Sequence, residues 1–278
     1  MKSEIIPCLW FDGQAKAASS FYASVFNHAE ILSSSDVITQ LSISRRTYHL
    51  LDGGPMFKLN DSISLYVYCG SDAEIERLYP LLMEGGSVIM PLGSYGWCRK
   101  YAMVKDQFGV IWQLDVDPIN NYQNIVPTFL FANEQRSLIN EAMSFYQSVF
   151  PNSMTLMEVP YPADSPMEEG SVLFGQYKLN GNIFNAMSSS EEQKFKFNEA
   201  FSFVVQCDTQ EEIDKFWDAL ISDGGSPSQC GWLKDKYGIS WQIVPAILEK
   251  LMSDPDKAPY AMKAFLKMNK FVIADLEE

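Results

Sequence analysis

The feature that most constrains this chain is its internal repetition. IIPCLWFDGQAKAASSFYASVF (residues 5–26) aligns with IVPTFLFANEQRSLINEAMSFYQSVF (residues 125–150), the second copy carrying four extra residues before its helix. A segment starting FKLNDSISLYVYC at Phe57 aligns with FKFNEAFSFVVQC at Phe195, and KDQFGVIWQL at Lys105 with KDKYGISWQI at Lys234. Three collinear matches establish duplication, so the fold must be one in which a unit of about half the chain recurs. Each copy reads as a strand, an amphipathic helix ending F-Y-x-S-V-F and several short strands. A second strand and helix follow, the helix running from an acidic cap (Ser71-Asp72 or Asp208-Thr209) to Gly-Gly. The rhythm predicts four βαβββ-like units in an α+β protein, with the halves at residues 1–120 and 121–278. The second half ends in a helical tail broken at Asp254-Pro255.

Unequal intervals locate the loops. The second copy is longer around the acidic PYPADSPMEEG, a natural partner surface at residues 161–170, and the first carries an extra GSYGWCRKYAMV before its last strand. Loops of different length on equal scaffolds imply clefts that are not equivalent.

Composition closes off several classes. A formal charge of −14 with no basic stripe disfavours nucleic acid. The chain shows no apolar run long enough to span a membrane and no signal-peptide pattern at its start, so a cytoplasmic protein without membrane association is expected. The five cysteines contain no C-x-x-C and are read as free thiols.

The opening P-x-L-x-F with F-Y-x-x-V-F, the F-K-x-N-x-x-x-S-x-x-V segment, the run CGWLKDKYGISWQIVP and the tail MKAFLKMNK resemble the PhnB-like branch of the vicinal oxygen chelate superfamily. That branch carries the label 3-demethylubiquinone-9 3-methyltransferase, within the glyoxalase and bleomycin-resistance group. The resemblance implies two tandem glyoxalase-like domains whose paired βαβββ units curl around clefts. It also implies intramolecular pairing of the halves, with further homodimerisation left open. Fold alone does not choose the reaction.

Enzymes of that superfamily hold a divalent metal with His, Gln or Glu on three strands. The matching positions in this chain are Pro7, Ser62 and Gln113, then Pro127, Ala200 and Gln242, a poor ligand set. His28 and His49, the only histidines, fall elsewhere and are read as partly exposed residues near strand starts. No metal and no cofactor are therefore expected. Nor is methyltransferase activity, since the Gly-Gly pairs do not form a cofactor-binding Rossmann turn.

Period-two alternation places Ser62, Ser64, Tyr66 and Tyr68 on one cleft face, and Ala200, Ser202, Val204 and Gln206 on its counterpart. Pro7, Leu9 and Phe11 are grouped on the first strand, and Ile111, Gln113 and Asp115 on the last. The candidate ligand contacts are Phe11, Ser64, Tyr66, Gln113, Asp115, Phe131, Ser202 and Gln242. Catalytic residues are not assigned. Trp112 and Trp241 are expected in the core under a helix, and Cys69 and Cys207 as packing residues. The leading expectation is a metal-free protein that binds a small molecule. The alternatives are a glyoxalase- or dioxygenase-type enzyme using Asp115, Tyr66 or a cysteine on a small oxygenated or aromatic metabolite, and a half that only props up the other. The same alternation also fits an ordinary sheet whose second face is wet or covered.

Overall fold

A computed structural model describes residues 4–117 and 123–277, so the expected boundary at residue 120 lies outside the described residues. The four units appear in order. The first is β1 (Ile5–Phe11), α1 (Ala15–Val25), β2 (Ala29–Ser34), β3 (Ile38–Ile43) and β4 (Arg46–Asp52). The second is β5 (Ile63–Tyr68), α2 (Asp72–Met83), β6 (Ser87–Tyr95), β7 (Cys98–Lys105) and β8 (Ile111–Asp115). The third is β9 (Ile125–Phe131), α3 (Ile139–Val149), β10 (Met154–Pro160), β11 (Val172–Leu179) and β12 (Asn182–Ser188). The fourth is β13 (Phe201–Cys207), α4 (Gln210–Leu220), β14 (Ser226–Pro227), β15 (Trp232–Lys234) and β16 (Ser240–Pro245). A tail follows as α5 (Ile247–Ser253), α6 (Ala258–Phe265) and α7 (Ile273–Glu277), interrupted where Asp254-Pro255 predicts. Among the described residues no helix is long and apolar enough to cross a membrane.

The repeated helix starts are repeated caps. Ser71 and Thr209 accept from the amides of Glu74 and Glu212, whose carboxylates bond back to the amides of Gly70 and Asp208. This is a capping-box arrangement in both copies.

Sheet pairing crosses the halves. Sheet A runs β14-β15-β16-β13-β1-β4-β3-β2 and sheet B runs β10-β11-β12-β9-β5-β8-β7-β6. The first unit therefore shares a sheet with the fourth and the second with the third, through the antiparallel junctions β1–β13 and β5–β9. Sequence order suggested a cleft built from the first two units together, and the pairing corrects that. A strand joins whichever edge matches its register, and two equivalent copies can exchange partners without changing any local pattern.

One face of each sheet contributes to a single core with α1 to α4, including Leu9, Phe11, Leu65, Trp112, Phe129, Phe131, Phe203 and Trp241. Phe129 meets Phe203 with ring centroids 5.4 Å apart, joining the two sheets directly. As expected, both tryptophans lie in this core, with Cys69 and Cys207.

The core also explains which residues recur. Asp106 Oδ2 accepts from Tyr22 Oη at 2.8 Å and Trp112 Nε1 at 2.8 Å, and its Oδ1 from the amides of Phe108 and Val110. Asp235 repeats this with Tyr146 at 2.6 Å, Trp241 at 2.8 Å, and the amides of Tyr237 and Ile239. Burial pushes the Asp235 carboxyl up to about 6, against the pull of its four donors. Each clasp ties a helix on one sheet to the last turn of the other, so Tyr, Asp and Trp recur for structural reasons.

Candidate functional site

The outer face of each sheet, turned away from the core, carries its own side-chain cluster. On sheet A, Trp10 of β1 and Trp232 of β15 approach to 6.0 Å although two strands separate them. On sheet B, Gln176 of β11 bonds to Tyr68 of β5 at 3.0 Å across an equal separation. With strands about 4.8 Å apart, such contacts require each sheet to curl around its outer face. We call these faces A and B.

Register aligns one row across each face. On face A the paired positions are Lys234, Ser240, Ser202, Cys8, His49 and Gln40. Pairing on face B aligns Thr128 with Ser64 and Asn185, and Asn185 with Gln176. The duplication equates Ser202 with Ser64 and Gln242 with Gln113, while the matching strand pairs set Cys8 opposite Thr128 and His49 opposite Asn185 in role.

Face B satisfies itself. Gln113 Nε2 donates to Ser64 Oγ at 2.8 Å, and Tyr101 Oη to Gln113 Oε1 at 2.6 Å. Tyr66 Oη donates to Asp115 Oδ2 at 2.7 Å, and the Cys98 thiol donates to Asp115 Oδ1. Asn185 Nδ2 bonds to Tyr68 and Thr128. Ser64, Tyr66, Gln113 and Asp115 are all buried, under aromatic contacts among Tyr66, Tyr68, Tyr101 and Phe174. Burial and then Asp115 raise the Tyr66 phenol far above its ordinary range, and the same causes raise the Cys98 thiol. Neither group is set up as a nucleophile or base.

Face A does not satisfy itself. Gln242 Nε2 donates to Ser202 Oγ at 2.9 Å, and Gln40 Nε2 to Glu249 Oε1 of α5 at 3.2 Å. Ser240 Oγ is fully buried with no partner among the described residues. His49 is only 7% exposed, and burial alone acts on its imidazole, with no hydrogen bond or charge to offset it. That burial holds the ring down at about 4, so it is neutral near pH 7. Burial likewise pushes the Cys8 thiol up to about 11, with Gln242 and Ser202 pulling back. From Ser240 to Gln40 the row is thus uncharged.

At the Lys234 end of the row opens a cavity of about 430 Å³ whose lining includes Trp10, Phe57, Glu199, Cys230, Trp232 and Lys234, but none of Ser240, Ser202, Cys8 and His49. Lys234 and Glu199 form an ion pair at 2.7 Å.

The expected site residues therefore separate. Ser64, Tyr66, Gln113 and Asp115 come together on face B, and Ser202 and Gln242 on face A. Phe11 and Phe131 join neither, because they point into the shared core, with Leu9 beside them. On β1 the outward residues are Ile6, Cys8 and Trp10, one position out of step with the expected Pro7, Leu9 and Phe11. Both faces of this strand are apolar, so no alternation marks which side faces the cleft. His28 is exposed, but His49 lies buried within β4, which corrects its reading as partly exposed. Cys8, Trp10, His49, Trp232 and Ser240 were missed. The alternation of RTYHLLD would have placed His49 opposite the core, but nothing local tells that it would lie beside Cys8.

A chelated metal does not fit these donors. Face A offers one imidazole and one protonated thiol, face B one carboxylate already holding two donors, and no group of three His, Cys, Asp or Glu side chains assembles among the described residues.

The family model described as 3-demethylubiquinone-9 3-methyltransferase matches residues 3–115 and 123–244. Among solved structures, the chain is similar to a PhnB protein from Bacillus cereus at 30% identity, covering 40% of this chain and 98% of that one, with a TM-score of 0.39. A Pseudomonas aeruginosa protein is 28% identical over 40% of this chain and 94% of its own, with a TM-score of 0.35. Glyoxalase I from Zea mays is 10% identical, covers 91% of this chain and 97% of its own, and reaches a TM-score of 0.60, a likeness of fold. No curated protein matches.

Proposed function

The chain belongs to the 3-demethylubiquinone-9 3-methyltransferase family, in the PhnB-like branch of the vicinal oxygen chelate superfamily, and from that premise we propose that it binds a small organic molecule on face A. The observation that carries this reading is the buried Ser240 Oγ, which has no partner among the described residues, on the same curled face as a His49 imidazole that makes no hydrogen bond. An unmade buried hydrogen bond costs about 1–3 kcal/mol, and a ligand entering face A would relieve the one at Ser240. Binding of this kind uses no resident metal, in keeping with the donor chemistry. The methyl-transfer label draws no support from either face, where no glycine-rich turn meets a helix start to hold a nucleotide-like cofactor.

Face B is proposed as the supporting half, its polar groups spent on one another. The enzyme reading through Asp115 and Tyr66 is weaker for the same reason, since each already occupies the other.

With only two histidines, the imidazole resonances of isotope-labelled protein separate His49 from the exposed His28. A screen of small uncharged fragments is expected to yield compounds that shift His49 and leave His28 in place. Hits that perturb only residues of face B, such as Tyr66, would sink the assignment of the site to face A.

A further inference from the structure

We infer that the cavity at the Lys234 end of face A binds a small zwitterion of betaine type. Its methylated ammonium group lies among Trp10, Phe57 and Trp232, and its carboxylate meets Lys234. Neither Ser240 nor His49 lines this cavity, so the inference goes beyond the proposed function and does not depend on it. Trp10, Phe57, Trp232, Glu199 and Lys234 all line the one space of about 430 Å³. The segments that supply Phe57 and Glu199 are tied to each other, Asn60 Nδ2 donating to Lys196 O and Asn198 Nδ2 to Lys58 O, both at 2.9 Å.

The rings form a corner, not a stack. Trp10 meets Phe57 at 80° and Trp232 at 77°, with centroids 5.1 and 6.0 Å apart. Aromatic faces set nearly at right angles can surround a compact cation, and a methylated ammonium, with little or no N–H to donate, gains most from them. The corner is fixed in advance. Trp10 Nε1 donates to Gly54 O at 2.7 Å, and Gly53 underlies the indole so closely that a Cβ there would stand 2.2 Å away, so this seat requires glycine. Rings held without freedom to relax offer contact at little entropic cost.

Charge fixes the other end of the ligand. Among the described residues of the lining, Lys234 and Glu199 alone are charged, and they pair at 2.7 Å with side chains 37% and 24% exposed. A plain cation would meet the Lys234 ammonium, and a plain anion the Glu199 carboxylate. A zwitterion laid antiparallel to the pair meets an opposite charge at each end. The duplication repeats this pair as Lys105 with Asp61 at 2.8 Å, so the pair itself belongs to the scaffold. At the positions of Trp10 and Trp232, however, the repeat has Leu130 and Met103, so the indole corner belongs to this cavity alone. A void of roughly 150 Å³ takes up benzene, so the whole zwitterion fits in about 430 Å³.

The test uses the full chain and four probes. These are glycine betaine, its isostere 3,3-dimethylbutanoate with carbon in place of nitrogen, choline, which lacks the carboxylate, and glycine, which lacks the methyl groups. Calorimetry is read together with the indole resonances of Trp10 and Trp232, assigned by their loss in Trp10→Leu and Trp232→Met, variants that import the residues of the other copy. The expected result is roughly millimolar binding of glycine betaine with shifts at both indoles and none at His49, and at least about tenfold weaker binding of the other three. Each tryptophan variant is expected to weaken glycine betaine by about tenfold and to stay folded by circular dichroism. Lys234→Gln weakens glycine betaine but not choline, a split that a merely structural lysine would not produce. Equal binding of the carbon isostere or of glycine would remove the pairing of ammonium with rings, and equal binding of choline the part of Lys234, and either overturns the zwitterion. No binding, or binding that leaves both indoles in place, overturns the site. The fragment screen on His49 decides separately whether the row of face A binds anything.

Discussion

Faces A and B are built on the same strands, in the same order, with the same serine and glutamine at equivalent points, yet they have opposite polar economies. Face B places Tyr66, Tyr68 and Asp115 where face A has Val204, Gln206 and Val244, and it closes the resulting phenols, amides and carboxylate into one bonded network. Face A sets Ser240 where face B has Ile111, and His49 where it has Asn185, and leaves both without partners. A satisfied network is rigid and has nothing to offer a ligand, whereas unpaired groups on an otherwise closed surface are latent binding energy. Duplication supplied two scaffolds, and under the function proposed above their side chains divide support from recognition between them.

The comparison can be broken at several points. The clasps beneath the faces are the same in both halves, so Asp106→Ala and Asp235→Ala are each expected to cost about 4 kcal/mol in urea unfolding, leaving phenol and indole donors stranded. Matched losses support equal scaffolds, and a several-fold difference would show that one half carries most of the stability.

His49 offers the next effect. Its folded pKa of about 4 lies below the ordinary histidine value of 6.5, so as pH falls the unfolded chain takes up the proton first. The stability from a neutral His49 is complete above about pH 6.5 and is lost progressively as pH falls through about 4, a total on the order of 3 kcal/mol. Unfolding curves of the wild type and of His49→Asn, which imports the face B residue, should diverge across that window. Parallel curves would mean the imidazole is solvated after all.

Tyr66→Val imports the face A residue into face B. It is expected to cost about 2 kcal/mol through the cavity and the loss of a donor to Asp115, measured by thermal unfolding. No loss would mean that face B is less tightly closed than its bonds imply. The smallest effect separates the two serines of face A. Ser202→Ala removes the acceptor for Gln242 and should cost about 1 kcal/mol, whereas Ser240→Ala removes an unpartnered hydroxyl and should be neutral or stabilising by up to about 1 kcal/mol. Equal losses at both positions would reveal a partner for Ser240 and weaken the case for face A.

How far residues disclose such a molecule depends on whether their signal is local. The four units, the capped helices, the tail break, the core position of Trp112 and Trp241, and the outward set of β5 and β13 were all legible, because each follows from spacing within a few residues. The outward set of β1 was not, since IIPCLWF is apolar on both sides and a shift of one residue exchanges its faces. That shift hid Cys8 and Trp10 and sent Phe11 to the wrong side. The sequence by itself determined that the chain is a duplicated α+β protein of paired βαβββ units. Only the tertiary structure decided that the first unit shares a sheet with the fourth, and so that Cys8, His49, Ser202 and Ser240 form one surface. Strand partnership is settled by register and burial between distant segments, and equivalent copies present equivalent edges, so no local pattern distinguishes one partner from the other.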